Sequence, residues 1–222
     1  MLTVPSILEK DCSSLFYQIN KLGHYFKRFQ IDIADGIFVP NKTLSIEGLA
    51  SSLNESNKST MKEYVFDFHL MVKDYEAEIK KVEALKKIVK VNLILIHYSA
   101  IDNYSSNISN LSDIPIGISL NPEDEVKDLG SHYNLNNVPF LQIMSVVPGV
   151  QGNPFIPDTL NKIEQLRLIG YKGKIFLDGA VNDITIRQIN KKQFKPDVIC
   201  PGSYLTKAVN LEERVKFLVS LI

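Results

Sequence analysis

The chain has 222 residues, the length of one large domain or two small ones. Its 25 basic and 25 acidic side chains give a formal net charge of zero, so composition offers no reason to expect a nucleic-acid or anionic-membrane surface. The two cysteines, Cys12 and Cys200, form no CxxC motif and are too few for a disulfide framework, which indicates a reducing compartment. No stretch has the pattern of a secretion signal or a membrane span, so we expect a soluble cytoplasmic protein.

Short apolar or alternating segments predict eight β-strands. In chain order they are 3–8, 29 to the turn at 35–36, 64–68 followed by His69-Leu70-Met71, 91–96, 114–120, 140–146, 174–177 and 198–200. Amphipathic segments between them predict helices at 15–22, 44–53, 75–85, 104–111, 158–169, from Asn182 onward and at 211–218, with a weaker signal at 123–137. The polar run 54–60 predicts an exposed loop.

Strict alternation of strands and helices predicts a parallel sheet. Eight such units are the number that closes a (β/α)8 TIM barrel, and the nearly continuous apolar strands suit a sheet buried on both faces. No linker or shift in composition marks a boundary, so residues 1–222 are interpreted as a single barrel domain. An open, doubly wound sheet is the structural alternative.

Polar residues close most of the predicted strands, at the end of a barrel where active sites lie. They are Ser6, Asp32, His69, His97, Asn121, Met144, Asp178 and Gly202-Ser203. Alone, Asp32 would be interpreted as a turn residue and His69 as a core histidine. Together, two carboxylates from strands on opposite sides of the mouth suit removal and return of a proton with inversion, and aspartate with histidine also suits a divalent metal.

Three glycine-bearing loops follow the late strands, at 148–152, 178–180 and 201–203. Such turns present backbone N–H groups to anions, and barrels often bind phosphate after the last two strands. The loops predict a phosphate site that includes Gly149, Gly152, Gly179 and Gly202 and that lacks a lysine.

The chain resembles the ribulose-phosphate 3-epimerase family of (β/α)8 barrels from about residue 6 to residue 205. The most specific pieces are DIADGIFVPN at 32–41, FHLMV at 68–72, MSVVPGVQGNPFIP at 144–157, LDGAV at 177–181 and PGSYL at 201–205. Shorter matches are SILEKD at 6–11, IH at 96–97 and SLNP at 119–122.

The resemblance implies a sugar-phosphate 3-epimerase that interconverts ribulose 5-phosphate and xylulose 5-phosphate through an enediolate. Asp32 and Asp178 correspond to the acid/base pair and, with His69, to ligands of a divalent metal such as zinc, iron(II), manganese or magnesium. Ser6, Met71 and Met144 correspond to substrate-contacting residues, and Gly179, Ala180, Gly202 and Ser203 to the phosphate-binding loops. The resemblance also implies a homo-oligomer.

Five positions depart from the family pattern. Gln30 replaces a metal-binding histidine two residues before the first catalytic aspartate, and an amide oxygen is a weaker ligand than imidazole for zinc or iron. Ala34, Ile37, Val147 and Ala180 replace a methionine, a histidine, an asparagine or aspartate, and a glycine. Two alternatives therefore stand beside the main interpretation: an epimerase for another ketose phosphate such as allulose 6-phosphate, and a non-catalytic barrel that binds phosphorylated sugars.

Overall fold

The structure, a computed structural model, describes residues 1–53, 55–101 and 108–221. These residues form nine β-strands: β1 Leu2–Thr3, β2 Ser6–Ile7, β3 Arg28–Ala34, β4 Val65–Met71, β5 Lys90–His97, β6 Ile116–Leu120, β7 Phe140–Met144, β8 Lys174–Asp178 and β9 Val198–Cys200. They also form nine α-helices: α1 Cys12–Leu22, α2 Ile46–Ser52, α3 Glu55–Met61, α4 Tyr75–Leu85, α5 Val126–His132, α6 Leu160–Leu168, α7 Thr185–Asn190, α8 Ser203–Thr206 and α9 Leu211–Leu221.

The strands form one all-parallel sheet in which each strand from β2 to β8 pairs with the next in the sequence. The first seven residues close the sheet into a barrel, because β1 pairs with β9 at one edge and β2 pairs with β3 at the other. Backbone bonds between Val4 N–H and the Ile199 carbonyl (3.0 Å) and between Gln30 N–H and the Pro5 carbonyl (2.9 Å) continue this closure. The β1 and β2 segments are thus two pieces of one barrel strand. The predicted TIM barrel is confirmed, and the doubly wound alternative, whose strand order reverses at a switch point, is wrong.

Alternation along the strands divides the apolar side chains between two regions. Leu93, Leu95 and Phe176 belong to a small cluster with Val4, Val198 and Cys200, on the face that lies inside the barrel. A much larger cluster fills the space between the sheet and the surrounding helices. Because side chains repeat with a period of two, the inner face that carries Leu95 ends in His97, and the one that carries Phe176 ends in Asp178. This register is what brings polar strand ends to the carboxyl-terminal mouth.

Aspartate side chains cap the starts of two of the predicted helices. The Asp11 carboxylate accepts the Ser14 N–H at 2.8 Å, and the Asp74 carboxylate accepts the Ala77 N–H at 3.0 Å. Each bond satisfies a backbone donor that has no partner within its helix. Both helices then bury one apolar face against the sheet.

The loop prediction at 54–60 was wrong, and the other helix predictions differ from the structure in their bounds or lie mostly outside the described residues. The segment 54–60, predicted as a loop, is helical from Glu55 onward, and burial of Met61 in the core outweighs its polar composition. The helix predicted at 158–169 is shorter in the structure, where a 3-10 turn at Pro157–Thr159 precedes α6 and Ile169 lies beyond its end, 60% exposed. Segment 123–137 contains α5 and a single 3-10 turn at Leu135–Asn137. The predicted helix at 104–111 lies mostly outside the described residues, which show a 3-10 turn at Ile108–Asn110.

The longest helices in the described part of the chain have 11 residues. None combines the length and the apolar character that a bilayer crossing requires.

Candidate active site

A cavity of about 530 Å³ opens at the carboxyl-terminal ends of the strands. All the residues that were predicted to be catalytic, metal-binding or substrate-binding line this cavity. They are Ser6, Asp32, His69, Met71, Met144, Gly149, Gly152, Asp178, Gly179, Ala180, Gly202 and Ser203. The sequence therefore placed these residues at one site. The structure gives their geometry, while their roles stay predictions.

Asp32 and Asp178, hereafter the carboxylate pair, lie at the floor of this cavity. Asp32 is the fifth residue of β3 and Asp178 is the last of β8, and each residue is 6% exposed. His69, on β4, is directly opposite Asp32 in the strand register. Its Nδ1 lies 3.1 Å from Asp32 Oδ1 and 3.8 Å from Asp178 Oδ2, so one ring nitrogen faces both carboxylates.

The Gln30 side chain lies between the two carboxylates. Its Nε2 donates to Asp32 Oδ1 at 3.0 Å and to Asp178 Oδ2 at 2.6 Å. On the other side its Oε1 accepts from the Cys200 thiol, with Sγ 3.5 Å away. Burial raises the pKa of this thiol well above its usual value, as do the neighbouring carboxylates, so Cys200 is a packing residue and a donor.

The pKa of Asp178 is raised to about 7. Burial is the main cause, and the charge of Asp32 adds to it, while His69 and the Gln30 hydrogen bond act in the opposite direction. A carboxyl group with a pKa near neutrality can both hold and release a proton under physiological conditions. Asp178 can therefore take part in acid/base exchange at this site.

A second histidine continues the site inward. His69 Nε2 lies 2.8 Å from His97 Nε2, so one of these two nitrogens carries the proton that joins them. In the metal-free protein His69 Nδ1 donates to Asp32 Oδ1, and His97 Nε2 then carries the shared proton. When a cation binds His69 Nδ1, the shared proton lies on His69 Nε2. His97 is fully buried, and burial with the neighbouring His69 lowers its pKa well below the usual value, so it is a neutral acceptor for that proton.

The donor set fits a divalent cation in part. Ligand atoms of Asp32, His69 and Asp178 all lie within 4.8 Å of one another, and two carboxylates with an imidazole suit zinc, manganese or iron(II). In the family pattern a histidine in place of Gln30 is the fourth ligand. Here Nε2 of Gln30 faces the carboxylates, so N–H groups lie where that ligand atom would be. Three residues could hold a metal, and the fourth position is chemically different.

The late glycine loops form one wall of the cavity. Gly179 has φ 113°, and a Cβ there would lie 2.6 Å from a methyl group of Val146, so both conformation and space require glycine. The next residue, Ala180, has φ 50°, a left-handed conformation that costs a residue with Cβ about 1–2 kcal/mol. Its carbonyl accepts from Asn182 Nδ2 (2.9 Å) and Thr185 Oγ1 (2.7 Å), which hold the turn.

Sequence reasoning missed three side chains near the site. Lys207 and Arg214 line the cavity beside the 202–203 loop, although the loops themselves carry no lysine. Gln142, on β7, lies beneath the cavity floor with its Nε2 3.5 Å from Asp178 Oδ2. The signal for Gln142 was available, since it is a polar residue two positions before Met144 on the inner face. Lys207 and Arg214 follow the last strand, where no sequence period relates them to the mouth.

Curated relatives are similar to the chain over most of its length. It is 27% identical to the ribulose-phosphate 3-epimerase of Chlamydia trachomatis serovar D, over 98% of this chain and 92% of that protein. It is 30% identical to the ribulose-phosphate 3-epimerase of Methanocaldococcus jannaschii, over 80% of this chain and 73% of that protein.

Solved structures share the fold at low identity. KGPDC from Streptococcus mutans in complex with D-R5P gives a TM-score of 0.66 at 14% identity, covering 99% of this chain and 95% of that one. A mutant tryptophan synthase alpha-subunit from Pyrococcus furiosus gives 0.66 at 13% identity, covering 99% and 98%. These likenesses concern the barrel alone.

The resemblance drawn from the motifs is confirmed by comparison with whole families. The family described as ribulose-phosphate 3 epimerase matches residues 2–205, which include both members of the carboxylate pair and all the glycine loops. The chain belongs to the ribulose-phosphate 3-epimerase family.

Proposed function

We propose that this protein is a sugar-phosphate 3-epimerase that interconverts D-ribulose 5-phosphate and D-xylulose 5-phosphate. The observation that carries the proposal is the carboxylate pair, in which two buried groups from distant strands meet at the floor of one cavity and Asp178 has a pKa raised to about 7. Membership of the family and the names of the curated relatives support the same reaction.

The chemistry requires one proton acceptor and one proton donor on opposite faces of carbon 3. In the direction that starts with ionised Asp32, its carboxylate takes the C3 proton, the electron pair of the broken C–H bond moves into an enediolate, and protonated Asp178 returns a proton to the opposite face. The reverse reaction exchanges the two roles. General acid/base steps of this kind contribute about 10²- to 10⁴-fold to a rate.

A divalent metal held by Asp32, His69 and Asp178 would stabilise negative charge that develops on the substrate oxygens. The protein's own part is to hold that ligand set together and to exclude water from it. Gln30 and His97, both fully buried, form the layer beneath the three ligands.

Phosphate recognition is assigned to the wall formed by the 179–180 and 202–203 loops. Both loops line a cavity that Lys207 and Arg214 also line, so a dianionic group bound there would lie beside positive charge. Ser6 lies beside this wall, because a Cβ at Gly202 would lie 2.9 Å from its Oγ.

The test is an epimerisation assay with the purified protein, stripped of metal and then supplied in turn with zinc, iron(II), manganese and magnesium. Ribulose 5-phosphate should yield xylulose 5-phosphate, and Asp32→Asn or Asp178→Asn should each lower kcat by at least about 10²-fold. Turnover of allulose 6-phosphate in preference to ribulose 5-phosphate would move the assignment to another ketose phosphate. Full activity in both aspartate variants would contradict the mechanism.

A further inference from the structure

The Gln30 amide is placed where it contacts both acidic groups of the site at once. Gln30 lies two residues before Asp32 on β3, so both side chains project from the same face of the strand into the barrel. The residue is fully buried, and its two Nε2 contacts with Asp32 and Asp178 measure 3.0 and 2.6 Å. Both amide protons are therefore used, one on each carboxylate.

The orientation of this amide is set by its neighbours on both sides. A carboxamide can be turned end for end, and the surrounding hydrogen bonds decide which end faces which group. The Cys200 thiol, a donor, faces Oε1 at 3.5 Å. Turning the amide would place its oxygen against carboxylate oxygens on one side and its N–H groups against the thiol on the other, which is unfavourable on both sides.

The carboxylate pair has little else to compensate its charge. Among the described residues, no lysine or arginine forms an ion pair with Asp32 or Asp178, and the remaining close donors are His69, the Gly179 backbone N–H and the longer contact from Gln142. A buried carboxylate without a partner is costly, whereas a hydrogen bond from an amide to an ionised group is among the stronger ones. The Gln30 amide thus donates hydrogen bonds to both acids, at 3.0 Å to Asp32 and 2.6 Å to Asp178.

Building on the proposed function, we propose that Gln30 is a positioning residue that holds the carboxylate pair together in the metal-free protein by donating one amide proton to each acid, and that it is not itself a metal ligand. A cation that enters among Asp32, His69 and Asp178 has to break these two hydrogen bonds. The amide therefore competes with the metal, whereas the histidine of the family pattern at this position would bind it.

The experiment compares metal affinity in four versions of the chain: wild type, Gln30→His, Gln30→Leu and Gln142→Leu. Dissociation constants for Zn²⁺ and Mn²⁺ are measured by competition with a chromogenic chelator, a readout that does not depend on epimerase activity. Gln142→Leu is the matched control, because it removes an equally buried amide that has only a 3.5 Å contact with one member of the pair.

Gln30→His should bind Zn²⁺ at least about tenfold more tightly than wild type, since it gains a ligand and loses a competing donor. Gln30→Leu should bind Zn²⁺ at least as tightly as wild type. In metal-free protein it should melt at a lower temperature than Gln142→Leu, because two acids lose their shared donor.

A tenfold loss of Zn²⁺ affinity in Gln30→Leu would show that the amide oxygen is a ligand and would overturn the proposal. A Gln30→His affinity no greater than that of wild type would overturn it as well, and this variant serves if Gln30→Leu fails to fold. A further readout is the pair of Gln30 side-chain N–H signals in the proton–nitrogen spectrum of metal-free protein, assigned by their loss in Gln30→His. These signals should shift when Zn²⁺ is added, and signals that stay fixed at saturation would contradict the competition.

Discussion

Buried carboxylates occupy both ends of the barrel interior, and the protein surrounds them differently. Toward the amino-terminal end, Asp67 is fully buried, forms a salt bridge with Arg28 Nε at 2.8 Å and accepts from Asn92 Nδ2 at 2.9 Å. At the carboxyl-terminal end, Asp32 and Asp178 accept hydrogen bonds from the Gln30 amide, and the His69 imidazole lies 3.1 Å from Asp32. One end carries a compensating cation and the other does not.

The difference indicates which end is built for stability and which for chemistry. Arg28 compensates the charge of Asp67 permanently, and its guanidinium also lies over the Phe176 ring at 5.5 Å, which separates this layer from the mouth. The carboxylate pair keeps its charge available to a proton or to a bound cation. Burial raises the pKa of Asp67, and the Arg28 guanidinium and the Asn92 hydrogen bond act against that rise.

The largest expected effect comes from removing the compensating cation. Arg28→Met leaves Asp67 buried without its partner, and we expect the free energy of unfolding to fall by about 3 kcal/mol. Chemical denaturation of metal-free protein measures this loss. The kcat of the fraction that remains folded should stay close to that of wild type, since Arg28 is remote from the mouth.

The double variant Arg28→Met with Asp67→Leu is the control, because it removes both charges and should recover most of the lost stability. If Arg28→Met alone is as stable as wild type, the Arg28–Asp67 ion pair does not stabilise the amino-terminal end. The proposed difference between the two ends of the barrel would then be wrong.

The barrel and the outline of its mouth were accessible from the sequence because both depend on periodic patterns. Alternation of strand and helix gave the topology, and a period of two gave the inner face on which Asp32, His69 and Asp178 lie. The helix at Glu55–Met61 was missed because its polar composition resembles a loop and only packing of Met61 marks it. Contacts between distant strands, such as Gln30 with Asp178, have no local signature.

The next effect concerns pH and the Asp178 carboxyl group. Its pKa is raised to about 7 in the folded protein from a usual value of 3.8, so between these values the folded state binds more protons than the unfolded state. Stability that depends on this group is therefore present at low pH and is lost as pH rises toward 7, at up to about 1.4 kcal/mol per pH unit.

Denaturant unfolding of metal-free wild type and of Asp178→Asn at pH 5, 6, 7 and 8 measures this slope. The variant should gain stability relative to wild type as pH rises from 5 to 7, with little further change above pH 8. A difference that is constant across the series would show that Asp178 titrates alike in the folded and unfolded chain.

The smallest expected effect lies at the rim of the mouth. Lys207 lines the cavity, and in the described part of the chain its amine forms no ion pair. Lys207→Ala should raise KM for ribulose 5-phosphate by about two- to fivefold, with kcat unchanged, because an exposed charge contributes little. The increase should shrink at high salt.

Lys191→Ala, at an exposed position after α7, is the matched control and should leave KM unchanged. A fall in kcat without a change in KM for Lys207→Ala would place Lys207 in the chemical step and not in phosphate binding.

Solvent deuterium exchange tests most directly whether the carboxylate pair exchanges protons at carbon 3. Ribulose 5-phosphate is incubated with metal-loaded protein in deuterated water, and the C3 proton is followed by NMR for wild type, Asp32→Asn and Asp178→Asn. Wild type should lose the C3 proton signal as xylulose 5-phosphate forms, and both variants should do so at rates at least about 10²-fold lower. Wild-type protein that binds the sugar phosphate without exchanging this proton would contradict the account.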